Sequence, residues 1–128
     1  MISVVITSFG YLHDPAPAAD ITVDVRRHLR DPHVDPTFRE LTGTDSAVWD
    51  RVLSTPGAVD LVAGITAAVV ALMPAARIDG RLVRVAVGCA GGRHRSVVLA
   101  ESICDRLGVS GWEAEVEHRD IHRPVVNR

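Results

Sequence analysis

Val87-Gly-Cys-Ala-Gly-Gly-Arg-His-Arg-Ser96 sets three glycines, a cysteine, two arginines and a histidine between two apolar runs. Upstream, Arg81 to Val87 (RLVRVAV) has the β-branched content of a strand. Downstream, Ser96 to Leu107 carries apolar residues at Val97, Val98, Ala100, Ile103, Cys104 and Leu107. That spacing predicts a helix, with Gly108 as the expected stop. A strand, a glycine turn and a helix in direct succession form the unit that organises α/β folds.

The same unit recurs less sharply elsewhere. Ile2 to Thr7 (ISVVIT) reads as a buried strand, stopped by Ser8-Phe9-Gly10, and Ile21 to Val25 (ITVDV) as a second. Tyr11 to Asp20 is a proline- and alanine-bearing loop. Arg26 to Gly43 is a polar connection of about 18 residues, a length more typical of functional loops than of simple linkers. Asp45-Ser46 caps a helix expected to run through Ser54. Pro56 is suited to the first turn of a second helix reaching about Ala75. Glu113 to His118 alternates as a strand with one wet face, and a polar tail from about 119 to 128 is expected to be partly free. The expected fold is therefore a single-domain α/β sandwich spanning 1–128, with a mainly parallel sheet of about four strands.

The chain has 128 residues, enough for one core that buries roughly two-thirds of the unfolded surface. A net charge of −2 supplies no global attraction to polyanions, so any such site has to be local. All 14 basic residues are arginine, which favours fork-shaped recognition of anions. Cys89 and Cys104 form neither a metal pattern nor a secreted disulfide framework, and the cytoplasm is the expected location. Ala58 to Ala76 is nearly continuous apolar sequence. Its Asp60 and its Ala and Gly content favour a buried or interface helix over a membrane span.

The glycine stretch has the makings of an anion cradle. Unpaired amides converge at a helix start, glycines admit close approach, and arginines add charge-assisted bonds. The plainer alternative is a tight turn with solvated arginines; the coincidence of cations and glycines at a helix start favours the cradle. The spacing Cys89-x5-Arg95-Ser96 also fits a cysteine-dependent phosphatase, with Cys89 as nucleophile, Arg95 as phosphate clamp, and Asp31 or Asp35 as a proton donor. Against it, Gly88 stands where such phosphatases carry a histidine. A P-loop NTPase reading is weaker still, since the Gly-x4-Gly-Lys pattern is missing and the chain has no lysine. Asp24 and Arg26 can form an ion pair or line the site; Asp120 can orient a ligand hydroxyl or pair with an arginine. His118-x3-His122 is the one metal-like spacing among His28, His33, His118 and His122, and no metal or cofactor is expected. Trp49 and Trp112 read as packing residues.

Gly88-Cys-Ala-Gly-Gly-Arg-His-Arg-Ser-Val97 resembles the GCTGGKHRSV loop of the C-terminal domain of the RNase adapter family RapZ (YvcJ). Ser8-Phe9-Gly10-Tyr11, Asp24-Val25-Arg26, Pro32-His33, Asp35-Pro36, Arg39 with Leu41-Thr42-Gly43, and His118-Arg119-Asp120 match in the family's order. The resemblance implies a non-catalytic sensing domain for a phosphorylated metabolite of amino-sugar metabolism, a sugar phosphate or nucleotide sugar. It implies a site of Ser8, Gly10, Asp24, Arg26, His33, Thr42, Gly43, Gly91, Gly92, Arg93, His94, Arg95, Ser96, His118 and Arg119. It also implies RNA as a partner, self-association into a homo-oligomer, and a P-loop ATPase domain in the full-length proteins. The chain carries no such domain, so nucleotide hydrolysis is not an expected inheritance, and a separate ATPase partner is the corresponding expectation. Ala90 replaces the family's threonine. The tail holds only Arg119, Arg123 and Arg128 where RNA-binding members have many lysines.

Overall fold

The computed structural model describes residues 1–29 and 36–126. Asp31, Pro32, His33 and Asp35 lie outside them. Four strands form one sheet: β1 (Val4–Gly10), β2 (Ile21–Asp24), β3 (Val83–Cys89) and β4 (Ala114–His118). All pairings are parallel and the order is β2-β3-β1-β4, as the strand–helix alternation requires. Among the described residues three α-helices accompany the strands: α1 (Ser46–Leu53), α2 (Ala58–Asp79) and α3 (Arg95–Val109).

The strand order determines which face each connection takes. The connections from β2 to β3 and from β3 to β4 travel the same way along the sheet, so right-handed crossovers put α2 and α3 on one face. The connection from β1 to β2 travels the opposite way and crosses the other face. Adjacent strands β1 and β3 thus send their chains to opposite sides. The crevice between their carboxyl ends is a topological switch point, where open α/β sheets bind ligands.

The main core lies between sheet and helices. Val4, Ile6, Val83, Val85 and Val87 meet Val62, Ile65, Val69 and Met73 of α2 and Leu99, Ile103 and Leu107 of α3. A smaller cluster of Val48, Val52 and Val98, flanked by Phe38, Leu41 and Trp49, fixes α1 against α3. Trp112 packs on the main core, so both tryptophans serve packing. The apolar stretch is α2, long and apolar enough by composition to cross a membrane, with its buried stripe on the sheet.

Element ends depart from the sequence expectation in instructive ways. β1 and β3 continue through Gly10 and Cys89 because Ser8, Phe9 and Gly10 pair with Val87, Gly88 and Cys89. α2 starts after Pro56, behind an N-cap Gly57 at φ 88°, and runs past Pro74 to Gly80 at φ 69°. α3 runs through Gly108; it stops where Gly111 supplies the left-handed conformation at φ 90°. The tail expected to be partly free is anchored at its start, where Asp120 and Ile121 are buried, and exposed from His122 to Pro124.

Candidate functional site

The glycine loop occupies the switch point. Tyr11 and Leu12 amides donate to the carbonyls of Cys89 (2.9 Å) and Ala90 (3.0 Å), so β1 and β3 stay joined until their chains diverge. A side chain at Gly10 would come within 2.4 Å of the Gly91 carbonyl carbon, and one at Gly92 within 2.7 Å of the Gly10 nitrogen. Gly92 also sits at φ 74°, which favours glycine. At Gly43 a Cβ would strike Val97, and at Gly88 it would strike the Phe9 and Tyr11 rings. These four glycines are packing necessities. Gly91 differs, because a Cβ there would meet nothing within 4 Å. It opens toward free space at the start of α3.

The three consecutive basic side chains reach outward to the surrounding loops. Arg93 donates to the carbonyls of Glu40 (3.0 Å), Arg123 (3.2 Å) and Ile121 (3.5 Å). His94 Nε2 lies 2.8 Å from the Phe38 carbonyl oxygen. Arg95, only 2% exposed, donates from Nη1 to the carbonyls of Val25, Arg26 and Leu29. Each residue thus ties one part of the long Arg26–Gly43 connection, or the tail, to the head of α3. Gly43 completes the set by donating its amide to the Arg93 carbonyl at 2.6 Å. Thr42 turns the chain into α1: its amide donates to Asp45 Oδ2 (2.8 Å) and its hydroxyl meets that of Thr44 (2.7 Å).

Cys89 is 2% exposed beneath the loop. Its thiol donates to Ser96 Oγ at 3.2 Å and its sulfur accepts the Gly92 amide at 3.3 Å.

On the other flank, Ser8 and His118 face each other across β1 and β4, with Ser8 Oγ 2.6 Å from Nδ1. His118 Nε2 is 2.7 Å from Glu101 Oε1 on α3. An ionised carboxylate only accepts, so Nε2 carries the hydrogen toward Glu101, and in the neutral ring Nδ1 accepts from the Ser8 hydroxyl. Sequence reasoning missed Glu101. Its signal was a carboxylate among the apolar positions of α3, between Val97 and Cys104.

Asp120 locks the site together. Its Oδ2 accepts the Gly10 amide at 2.7 Å and Arg119 Nη2 at 2.9 Å, and Oδ1 meets Arg123 Nε at 3.3 Å. Burial by itself raises the Asp120 pKa; the bonds from Arg119 and Gly10, with the charge of Arg123, outweigh it and hold the carboxyl below its ordinary value. Arg119 continues to the carbonyls of Pro15 (2.6 Å) and Asp14 (2.9 Å), pinning the crossover loop. Arg26 and Asp24 form an ion pair at 2.7 Å; the Arg26 side-chain bond holds the Asp24 pKa below its ordinary value. Among the described residues no group of three His, Cys, Asp or Glu is placed to hold a metal ion.

Of the expected site residues, the structure gathers Gly10, Gly91, Gly92, Arg93, His94, Arg95, Ser96, Gly43 and Arg119 around the loop. It sets Ser8 and His118 on one flank and Asp24 and Arg26 on the other. A family model described as the RapZ C-terminal domain matches residues 2–122. The chain is 37% identical over 123 residues to a nucleotide-binding protein of Corynebacterium jeikeium, covering 95% of this chain and 42% of the relative. It is 40% identical over 125 residues to one of Rubrobacter xylanophilus, covering 94% and 41%. A nucleotide-binding protein of Rhodospirillum rubrum is 37% identical over 121 residues, covering 94% and 38%. The chain therefore spans about two-fifths of the length of these curated relatives.

Proposed function

The chain belongs to the RapZ C-terminal domain family, and from that premise we propose that it is a non-catalytic binding domain for a phosphorylated small metabolite, a sugar phosphate or nucleotide sugar. The observation that carries this reading is Gly91. Alone among the five glycines around the crevice it opens to free space, at a topological switch point and at the N-terminus of a 15-residue helix. Main-chain amides and the helix dipole favour an anion there. The bonded cations Arg93 and Arg95 add positive field, and together with His94 they keep the surrounding loops in place. The name nucleotide-binding protein that these relatives carry agrees with such a ligand, although it belongs to proteins more than twice as long.

Calorimetry with inorganic phosphate, glucosamine 6-phosphate and a uridine diphosphate sugar tests the reading. Saturable binding to the wild type that disappears in Gly91→Val, with thermal stability unchanged, is the expected result. A folded wild type that binds none of the three contradicts it.

The Gly92 amide and Ser96 hydroxyl on Cys89 favour a second reading, a cysteine phosphatase. Its required clamp, Arg95, is instead bonded to the carbonyls of the β2–α1 connection. Turnover of p-nitrophenyl phosphate that vanishes in Cys89→Ser would establish the phosphatase.

The remaining partners follow from family membership and stand as part of this proposal. RNA is one. The tail cations Arg119 and Arg123 are paired inside the domain, so binding is expected to be weak and salt-sensitive. A gel shift that persists at about 200 mM salt would show otherwise. Self-association is a second, through the outward face of α2. A separate P-loop ATPase and a cytoplasmic location complete it.

A further inference from the structure

Beside the glycine loop stands a stacked group that phosphate binding leaves unused. Tyr11 and Val25 are both hung on the main chain leading into the loop: the Tyr11 amide donates to Cys89 and the Val25 amide to Gly88 at 3.0 Å. The Tyr11 ring lies against Gly88, where a Cβ would be 2.5 Å from it, and Phe9 meets its edge at 4.7 Å and 64°. Arg26 lies over the ring, with its guanidinium carbon 3.8 Å from the ring centroid.

The orientation of Arg26 decides what it offers a ligand. Nε donates to Asp24 Oδ1 at 3.0 Å and Oδ2 at 3.2 Å, and Nη2 donates to Oδ2 at 2.7 Å. An arginine that grips phosphate does so with its N–H edge, as a fork. Here the Nε–Nη2 edge is committed to Asp24, and the side chain remains 44% exposed. Asp24 and Tyr11 orient the guanidinium so that its outer flat face is presented, with the Nη1 hydrogens at its far edge. Such faces take planar heterocycles, which is how arginine and tyrosine stack nucleobases. Gly88, which anchors the stack, and Gly91, which opens the cradle, are three residues apart, at most roughly 10 Å. That separation suits the two ends of one nucleotide.

We propose that the Tyr11–Arg26 stack, oriented by Asp24, is a nucleobase subsite, so that the ligand class of the crevice is a nucleotide or nucleotide sugar rather than a bare sugar phosphate. The inference rests on the phosphate reading of the glycine loop and adds to it the base-bearing half of the ligand. Asp24 is a positioning residue in this scheme; Arg26 touches the ligand.

The test compares inorganic phosphate, ribose 5-phosphate, UMP and AMP by NMR titration of the wild type and of Arg26→Lys. The lysine keeps the charge and loses the plane. The wild type is expected to bind UMP or AMP about tenfold or more tighter than ribose 5-phosphate, the scale of one stacked base. Arg26→Lys is expected to erase that preference, so that UMP and AMP bind no more tightly than ribose 5-phosphate. The chain has one tyrosine, so shifts of its ring resonances on nucleotide binding report the stack directly. Equal wild-type affinity for ribose 5-phosphate and both nucleotides, or a preference that survives Arg26→Lys, overturns the base subsite alone. Absence of binding to all four probes overturns the phosphate reading together with it.

Discussion

At the scale of single residues, Asp120 and the glycines carry the sharpest consequences. Asp120→Ala leaves the buried Gly10 amide without its acceptor and separates Arg119 and Arg123 from their counter-ion. A loss of about 1–3 kcal/mol is expected from chemical denaturation. Because the folded-state carboxyl titrates below its unfolded value, its contribution is present above about pH 4 and fades as pH falls through the lower folded value. The stability gap between wild type and Asp120→Asn is therefore expected to be constant near neutrality and to shrink in acid. Gly92→Ala forces an L residue to φ 74° against the Gly10 nitrogen and is expected to cost about 1–3 kcal/mol or more. Gly91→Ala, facing open space, is expected to change stability by no more than about 0.5 kcal/mol. A scan that found Gly91 as intolerant as Gly92 would refute the distinction between cradle and packing glycines. The sequence marked all of these glycines alike. Which one faces space depends on a neighbour about eighty residues earlier in the chain, and no local pattern encodes that.

At the scale of elements, α3 links the core to the site. Its Leu99, Ile103 and Leu107 are fully buried, and its first residues bind loops from three parts of the chain. Ile103→Ala is expected to cost about 2–5 kcal/mol, read from urea unfolding. α2 behaves differently on its two faces. The stripe at Val62, Ile65, Val69 and Met73 is core, while Val59 (54% exposed) and Ile78 (86%) face outward, and no charged residue lies between Asp60 and Arg77. Ala71→Glu on that outward face is expected to leave unfolding unchanged and to reduce self-association in sedimentation experiments. A folded variant that associates as well as the wild type would exclude that face. α3 was legible from 3.6-residue spacing and the other helices from their start signals, but ends were misplaced where the residue that stops a helix was not the nearest glycine. Gly108 continues α3 because Gly111 provides the positive φ. The strands were legible from β-branched runs but were cut short at Gly10 and at Gly88-Cys89, where pairing across the sheet overrides poor intrinsic propensity.

At the scale of the whole molecule, alternation of strands and helices announced a parallel α/β sheet, and the structure has one. The order β2-β3-β1-β4 was not legible, since it depends on pairing between strands far apart in sequence. That order creates the switch point, and the switch point turns a glycine-rich turn into a crevice with the Ser8–His118–Glu101 chain on one side and the Tyr11–Arg26 stack on the other. The place of the glycine stretch between a strand and a helix start was readable in advance. The internal bonding of Arg93, His94 and Arg95 was not, because arginine reads as an anion binder whether it meets a phosphate or a carbonyl. The proposed function rests on the cradle at Gly91 holding an anionic ligand group. A 15N NMR titration of the intact chain with inorganic phosphate addresses it most directly. Saturable shifts concentrated on the amides of residues 90–97, lost in Gly91→Val, are the expected result; no saturable shift, or shifts spread over distant surface arginines, would contradict it.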